Sequence, residues 1–268
     1  MTHSFFDIDP PVVIGHRGAA GDRPENTLIS FETALEMGAQ ILESDIQLSS
    51  DGVPILLHDP DLERTSDGLG PAMKSSWAEI RELDAGGRFE DEHGVHPYLG
   101  KGVRIPSLEE AFERFPDARF NLEIKCRGEA GIRATLDLVA RFDRSDRTLL
   151  AAGENDIMRD LRVALETHPA SPALGASMQE IIATVASAIN ETPMPEGVMA
   201  LQVPANFGDN PLVTQAFVDH AHAHGVQVHV WTINQLDEIG ALLDLGADGI
   251  ITDYPGRMHD WLANAGRR

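Results

Sequence analysis

Cysteine is almost absent: Cys126 is the only one in 268 residues, which excludes an internal disulfide and a thiolate zinc cluster and fits a reducing compartment. Positive charge is also scarce, with 21 Lys and Arg against 43 Asp and Glu, a net −22 at pH 7. So acidic a chain repels phosphate backbones and anionic lipid, which argues against nucleic acid or a membrane surface as partner. The same excess of carboxylates is suited to holding a cation. No window approaches the roughly 18 consecutive apolar residues of a membrane span, and the opening MTHSFFDIDPPVV has neither a basic segment nor a long apolar one. Membrane insertion and export are therefore not expected, and a cytoplasmic location is the default. A Gly-rich nucleotide fingerprint is missing as well.

What is present is a period. Short apolar, β-rich runs stand at 12–16, 40–46, 119–124, 147–152, 172–176, 199–203, 226–231 and 249–252. Their starts are 28, 79, 28, 25, 27, 27 and 23 residues apart, and all but one interval match a strand, a turn and a crossover helix. Amphipathic patterns fill the gaps. Leu28, Phe31, Ala34 and Leu35 form one stripe, Ile157, Leu161, Ala164 and Leu165 another, and Leu236, Ile239, Leu242 and Leu243 a third, with Asn234 placed to cap it. Ser107 and Glu110 form a capping box for a helix over 107–115, Asn210-Pro211 opens one over 211–224, and Pro255 opens one over 255–264. Eight such units, with strands apolar on both faces, predict an α/β fold, a (β/α)8 TIM barrel, as one domain over 1–268. The long interval predicts a small insertion after the second strand, at about 60–106, anchored by Trp77, Leu83, Phe89, Tyr98 and Leu99 and capping one end of the barrel.

Charged residues collect where the runs end. Glu43 and Asp45 are two apart on one strand, so their side chains point the same way, and without something positive between them their burial would be costly. Asp51-Gly52 reads as a two-residue hairpin turn in which paired residue numbers sum to 103, placing His58 opposite Asp45. Glu123 and Lys125 repeat the i, i+2 spacing on the third strand, and His16-Arg17-Gly18 ends the first. In a barrel of this kind reacting groups come from the C-terminal ends of strands. Three carboxylates suit Mg²⁺ or Ca²⁺ better than zinc, and Arg17 can grip phosphate oxygens in a fork.

These motifs, in this order, resemble the glycerophosphodiester phosphodiesterase family over nearly the whole chain. The resemblance rests on His16-Arg17-Gly18, Pro24-Glu25-Asn26-Thr27, Glu43-Ser44-Asp45, Asp51-Gly52 followed by His58-Asp59, and Leu62-Glu63-Arg64-Thr65. Further along it rests on Ile105-Pro106-Ser107-Leu108-Glu109-Glu110, Asn121-Leu122-Glu123-Ile124-Lys125, Trp231-Thr232-Ile233-Asn234 and Gly246 to Asp253. Ser49 and Ser107 stand where the family pattern commonly has threonine. The resemblance implies a metal-dependent phosphodiesterase releasing glycerol 3-phosphate and an alcohol. Glu43, Asp45 and Glu123 would hold one divalent cation, Mg²⁺ or Ca²⁺ with Mn²⁺ as a third choice, while His16 and His58 share acid and base duties. Arg17 and Lys125 would neutralise phosphate, Trp231 would wall the pocket, and Glu25, Asn26 and Asp59 would orient the groups beside them. A phosphodiesterase of lysophospholipids or of another diester, and a barrel that binds phosphodiesters without cleaving them, are the competing readings. The sequence leaves open the alcohol, the cation, attack by water or by the glycerol 2-hydroxyl, which histidine is the acid, and the oligomeric state.

Other signals carry less. His220, His222, His224 and His229 are dense, but the glutamate of H-E-x-x-H is missing and the first three flank an apolar stripe. Cys126, adjacent to Lys125, is expected to point away from the barrel interior as a packing residue. Gly175-Ala176-Ser177 lacks the downstream glycine of a nucleophile elbow. Met258, Trp261 and Leu262 read as the core face of the last helix, and His93 and His96 as loop residues.

Overall fold

The computed structural model describes residues 3–267. Eight parallel strands, β1 Val12–Gly15, β2 Ile41–Leu48, β3 Arg119–Ile124, β4 Thr148–Ala151, β5 Ala173–Leu174, β6 Ala200–Pro204, β7 Gln227–Trp231 and β8 Gly249–Thr252, fall on the eight apolar runs. Hydrogen-bonded neighbours run β5-β4-β3-β2-β1-β8-β7-β6, and the ring is nearly closed between β5 and β6, where Met199 N–H donates to Leu174 O at 2.9 Å. This is the (β/α)8 barrel. The helices between strands are α1 Leu28–Glu36, α2 Leu108–Arg114, α3 Glu129–Arg141, α4 Asn155–Leu165, α5 Met178–Asn190, α6 Gln215–Ala223, α7 Leu236–Asp244 and α8 Pro255–Asn264.

Strand alternation partitions the core. Outward residues of β2–β4 meet α1–α4 in one apolar shell, where the Phe31 ring packs edge-on against Phe120 at 5.8 Å and Phe115 at 6.3 Å. Outward residues of β6–β8, with Val13 of β1, meet α5–α8 in a second shell, which contains Met258 and Leu262. The barrel interior has a separate, small apolar layer of Val12, Ile14, Ile41, Leu149, Ala173, Ala200 and Ile251, closed below by Phe5. Above that layer the inward positions become polar, at the C-terminal mouth.

Capping follows the sequence at α2, where Ser107 and Glu110 exchange reciprocal hydrogen bonds with each other's backbone. It departs in two places. Helix α6 begins at Gln215, because Thr214 accepts from Phe217 N–H at 3.3 Å, while Asn210 and Pro211 pair with Asn206 and Phe207 in a minimal exposed hairpin. Asn234 does not cap α7; Gln235 stands at that position without a side-chain bond, and Asn234 turns to the end of β8.

The hairpin after β2 is also shifted by one residue. The strand Pro54–Leu56 pairs Ile46 with Leu56 and Leu48 with Pro54, so pairs sum to 102, and Leu57 rather than His58 lies opposite Asp45. The loop has three residues, Ser50-Asp51-Gly52, with Gly52 at φ 84°, the left-handed position that a bulged turn requires. His58 still reaches the mouth because the ladder ends at Leu56. From there residues 60–106 form a loop-rich layer around a short helix, Trp77–Ile80, over a cluster of Leu57, Leu62, Ala72, Ile80, Ala85 and Ile105. Trp77 and Leu83 pack there, whereas Leu99 is exposed and Phe89 pairs with Tyr98.

Candidate active site

The C-terminal mouth holds a cavity of about 330 Å³ lined by His16, Arg17, Glu43, Asp45, His58, Glu123, Lys125 and Trp231, among others. All eight residues expected to touch substrate or cation are thus brought to one cavity. Seven of them come from barrel strands or the residues just beyond: His16 and Arg17 follow β1, Glu43 and Asp45 sit on β2, Glu123 on β3 with Lys125 just beyond, and Trp231 closes β7, while His58 follows the hairpin strand Pro54–Leu56. Asp45 and Glu123 are partners in the parallel register and so project side by side.

Glu43 and Asp45 are buried, 8% and 1% exposed. The positive character that such a pair requires is supplied by the chain itself. Arg17 N–H donates to Glu43 Oε2 at 2.9 Å, Arg17 Nε lies 3.5 Å from Asp45 Oδ2, and Lys125 Nζ lies 3.4 Å from Asp45 and 2.8 Å from Glu123. Arg17 can turn its N–H inward because its backbone is left-handed, φ 50°, a strained conformation for a side-chain-bearing residue. Burial, then the charge of Asp45, pushes Glu43 up to about 7. Burial and a neighbouring like charge both disfavour the ionised form, so a cation in the cavity would favour it. Among the described residues no three Asp, Glu, His or Cys side chains already converge as a cation's ligands. Even so, the donor set, three carboxylates in one cavity, fits a hard divalent ion.

Both histidines are held in the same manner. His16 Nδ1 donates to Asp253 Oδ1 at 2.6 Å and His58 Nδ1 to Asp59 Oδ1 at 2.7 Å, leaving each Nε2 as the free ring nitrogen. His16 Nε2 is 4.0 Å from Glu43 Oε2. Burial lowers the His16 pKa, but the Asp253 hydrogen bond and the charge of Glu43 outweigh it and the net direction is upward. Asp59 is lowered to about 2, chiefly by its bond to Arg64.

The expected orienting residues do touch these groups. Asn26 Nδ2 donates to Asp45 Oδ2 at 3.1 Å while its Oδ1 accepts from Ser44, and Glu25 Oε1 accepts from Arg17 at 2.7 Å. Sequence reasoning gave no role at the site to Arg64, Asp253 or Asn234. Arg64, from the inserted segment, bonds both Glu25 oxygens and Asp59, tying the Arg17 and His58 supports together. Asn234 Nδ2 donates to Asp253 Oδ2 at 2.7 Å, fixing the partner of His16. The signal for Asp253 was its place at the end of β8, the same strand-end rule that found the others.

The discounted signals are structural. Cys126 is buried in the outer shell with its thiol pushed up to about 11 by burial. Ser177 caps α5, His220 bonds Ser187, and His222 bonds Asp248. Among the described residues no helix is long and apolar enough to cross a membrane.

Residues 16–257 match the family model for the Glycerophosphoryl diester phosphodiesterase family. The glycerophosphodiester phosphodiesterase of Bacillus subtilis is 29% identical over 264 residues, covering 94% of this chain and 86% of the relative. The human lysophospholipase D GDPD1 is 28% identical over 284 residues, with the same two coverages, 94% and 86%. Among solved structures, an Oleispira antarctica phosphodiesterase in complex with the product sn-glycerol-3-phosphate superposes with TM-score 0.73 at 26% identity, covering 94% of this chain and 97% of that one. The chain belongs to the glycerophosphoryl diester phosphodiesterase family.

Proposed function

We propose that the protein hydrolyses glycerophosphodiesters to glycerol 3-phosphate and an alcohol, with one divalent cation held by Glu43, Asp45 and Glu123. The observation that carries this reading is the pairing of two histidines, each fixed through Nδ1 on a carboxylate, with three carboxylates and two cationic side chains in one cavity. The product bound in the Oleispira antarctica relative supports the substrate class. When bound, the cation, Mg²⁺, Ca²⁺ or Mn²⁺, would supply charge stabilisation at the phosphoryl oxygens.

The chain's own residues divide the remaining work. Arg17 and Lys125 stay charged, since their carboxylate neighbours outweigh the effect of burial on each. They neutralise phosphate charge as it grows in the transition state. One Nε2 takes the proton from the attacking oxygen, of water or of the glycerol 2-hydroxyl, and the other donates a proton to the leaving alkoxide. Asp253 and Asp59 hold the rings in the tautomer with Nε2 toward the reaction, and Trp231 walls the cavity. Turnover is tested by phosphorus NMR on glycerophosphocholine, where glycerol 3-phosphate must appear.

A second reading is favoured by the 28% identity to a human lysophospholipase D. Lysophosphatidylcholine measured beside glycerophosphocholine separates the two: a higher kcat/KM on the lysolipid would establish the second.

A further inference from the structure

The mouth contains two cavities. The one described above, about 330 Å³, and a neighbour of about 480 Å³ between the inserted segment and the loops after β1 and β8 have only His16 and Arg17 in common. The first holds His58, Lys125 and the carboxylates of β2 and β3, so the attacking oxygen of the reaction proposed above comes from its side. Attacking and leaving oxygens lie roughly in line across a phosphoryl centre. A diester gripped by Arg17 at the seam therefore directs its leaving alcohol into the second cavity.

Most charges of that second cavity are already matched. Arg17 and Arg64 both bind Glu25, at 2.7 and 2.6 Å, and Asp253 holds His16 at 2.6 Å. Two charges are not. Arg88 and Glu90, both exposed, form part of the wall that the inserted segment contributes. Arg88 Nε donates to Ser66 O at 3.2 Å, which ties the side chain to the segment and leaves its two terminal nitrogens without a partner among the described residues. Although they are two positions apart, neither the Arg88 guanidinium nor the Glu90 carboxylate has an opposite charge within 4.0 Å among the described residues. Phe89 and Tyr254 add aromatic surface to the same cavity.

We propose that this second cavity receives the leaving alcohol, and that Arg88 and Glu90 select one carrying both a carboxylate and an ammonium group, as the serine of glycerophosphoserine does. The inference rests on the glycerophosphodiester reading above. The free nitrogens of Arg88 offer a carboxylate two N–H donors, and Glu90 accepts from the ammonium. Ethanolamine and choline bring only the positive group and leave Arg88 unmatched, and glycerol as the leaving alcohol brings neither. Because both side chains are exposed, solvent screens the contacts, and each is worth about two- to fivefold in affinity rather than the larger factor of a buried pair.

The test measures kcat/KM for glycerophosphoserine, glycerophosphoethanolamine and glycerophosphoglycerol with a divalent cation present. The first two differ only by the carboxylate, so their ratio isolates the Arg88 contact. Arg88→Gln should lower that ratio by about two- to fivefold, chiefly by raising KM for the serine compound, and Arg88→Lys should keep part of it. Glu90→Gln should slow the serine and ethanolamine compounds together relative to the glycerol one. Arg104→Gln removes another exposed arginine of the inserted segment, one outside this cavity, and should leave the serine-to-ethanolamine ratio unchanged. A wild-type ratio in Arg88→Gln, or an equal fall in Arg104→Gln, would overturn the inference alone. No turnover of any of the three compounds by wild type with any divalent cation would overturn the glycerophosphodiester reading and the inference with it.

Discussion

Glu43→Gln should make the metal-free protein more stable above neutral pH. Glu43 is buried beside Asp45 and held near 7 against an ordinary 4.5. A carboxyl whose folded pKa is raised carries no penalty below its unfolded value and loses stability as pH rises through the folded one. At 1.36 kcal/mol per factor of ten in protonation, ionising Glu43 costs the folded state about 2–3 kcal/mol by pH 8, part of it shared with Asp45. Glutamine has nearly the same shape and no charge to ionise. For a chain of this size 1 kcal/mol moves the melting temperature by roughly 2–4 °C. Melts in chelator from pH 5 to pH 9 should therefore show wild type falling away from Glu43→Gln across pH 5–8, to a gap of about 4–12 °C. Adding Mg²⁺, Ca²⁺ or Mn²⁺ at pH 8 should raise wild type and leave the variant almost unmoved. Parallel pH curves, or equal metal stabilisation of both proteins, would refute the reasoning that an unneutralised carboxylate waits for a cation.

Asp253→Asn removes the 2.6 Å partner of His16, leaving burial to depress the imidazole. The limb of the pH–rate profile that reports His16 should move to lower pH and kcat should fall by about 10²–10⁴-fold, whereas superimposable profiles would remove Asp253 from the mechanism. Asp59, held at about 2 by Arg64, contributes stability present above the ordinary carboxylate value and lost as pH falls toward 2. Acid unfolding of Asp59→Asn should accordingly begin at higher pH than that of wild type, with equal midpoints as the contrary result. Phe31→Ala, at the junction of the Phe115 and Phe120 rings, should cost about 3–5 kcal/mol in urea unfolding; a loss below 1 kcal/mol would mean that the outer shell repacks.

Much of the barrel was legible because its strands are buried on both faces and read as short, mostly apolar runs, with charged residues at or near the C-terminal ends of β1, β2, β3 and β8. That punctuation exposed Glu43, Asp45, Glu123 and His16 in the sequence. His58 was found through a hairpin whose register was one residue out: Asp51-Gly52 signals a turn of two residues or, with Ser50 and a left-handed Gly52, of three, and only the ladder distinguishes them. Thr214 displaced Asn210-Pro211 as the start of α6 because a side-chain cap satisfies an orphan N–H that proline merely lacks. Arg64 and Asn234 were not legible as site residues. Their roles depend on contacts across the mouth, Arg64 with Glu25 39 residues away and Asn234 with Asp253 19 away, and no local pattern encodes those.

The most direct test of the account is glycerol 3-phosphate release from glycerophosphoethanolamine by chelated enzyme, with Mg²⁺, Ca²⁺ or Mn²⁺ restored in turn, for wild type, Glu123→Gln, His16→Ala and His58→Ala. The account predicts no product in chelator and recovery with at least one ion in wild type. Glu123→Gln should need more of that ion, and each histidine variant should stay about 10²–10⁴-fold slower at saturating ion. Full turnover in chelator, or wild-type rates in both histidine variants, would contradict it.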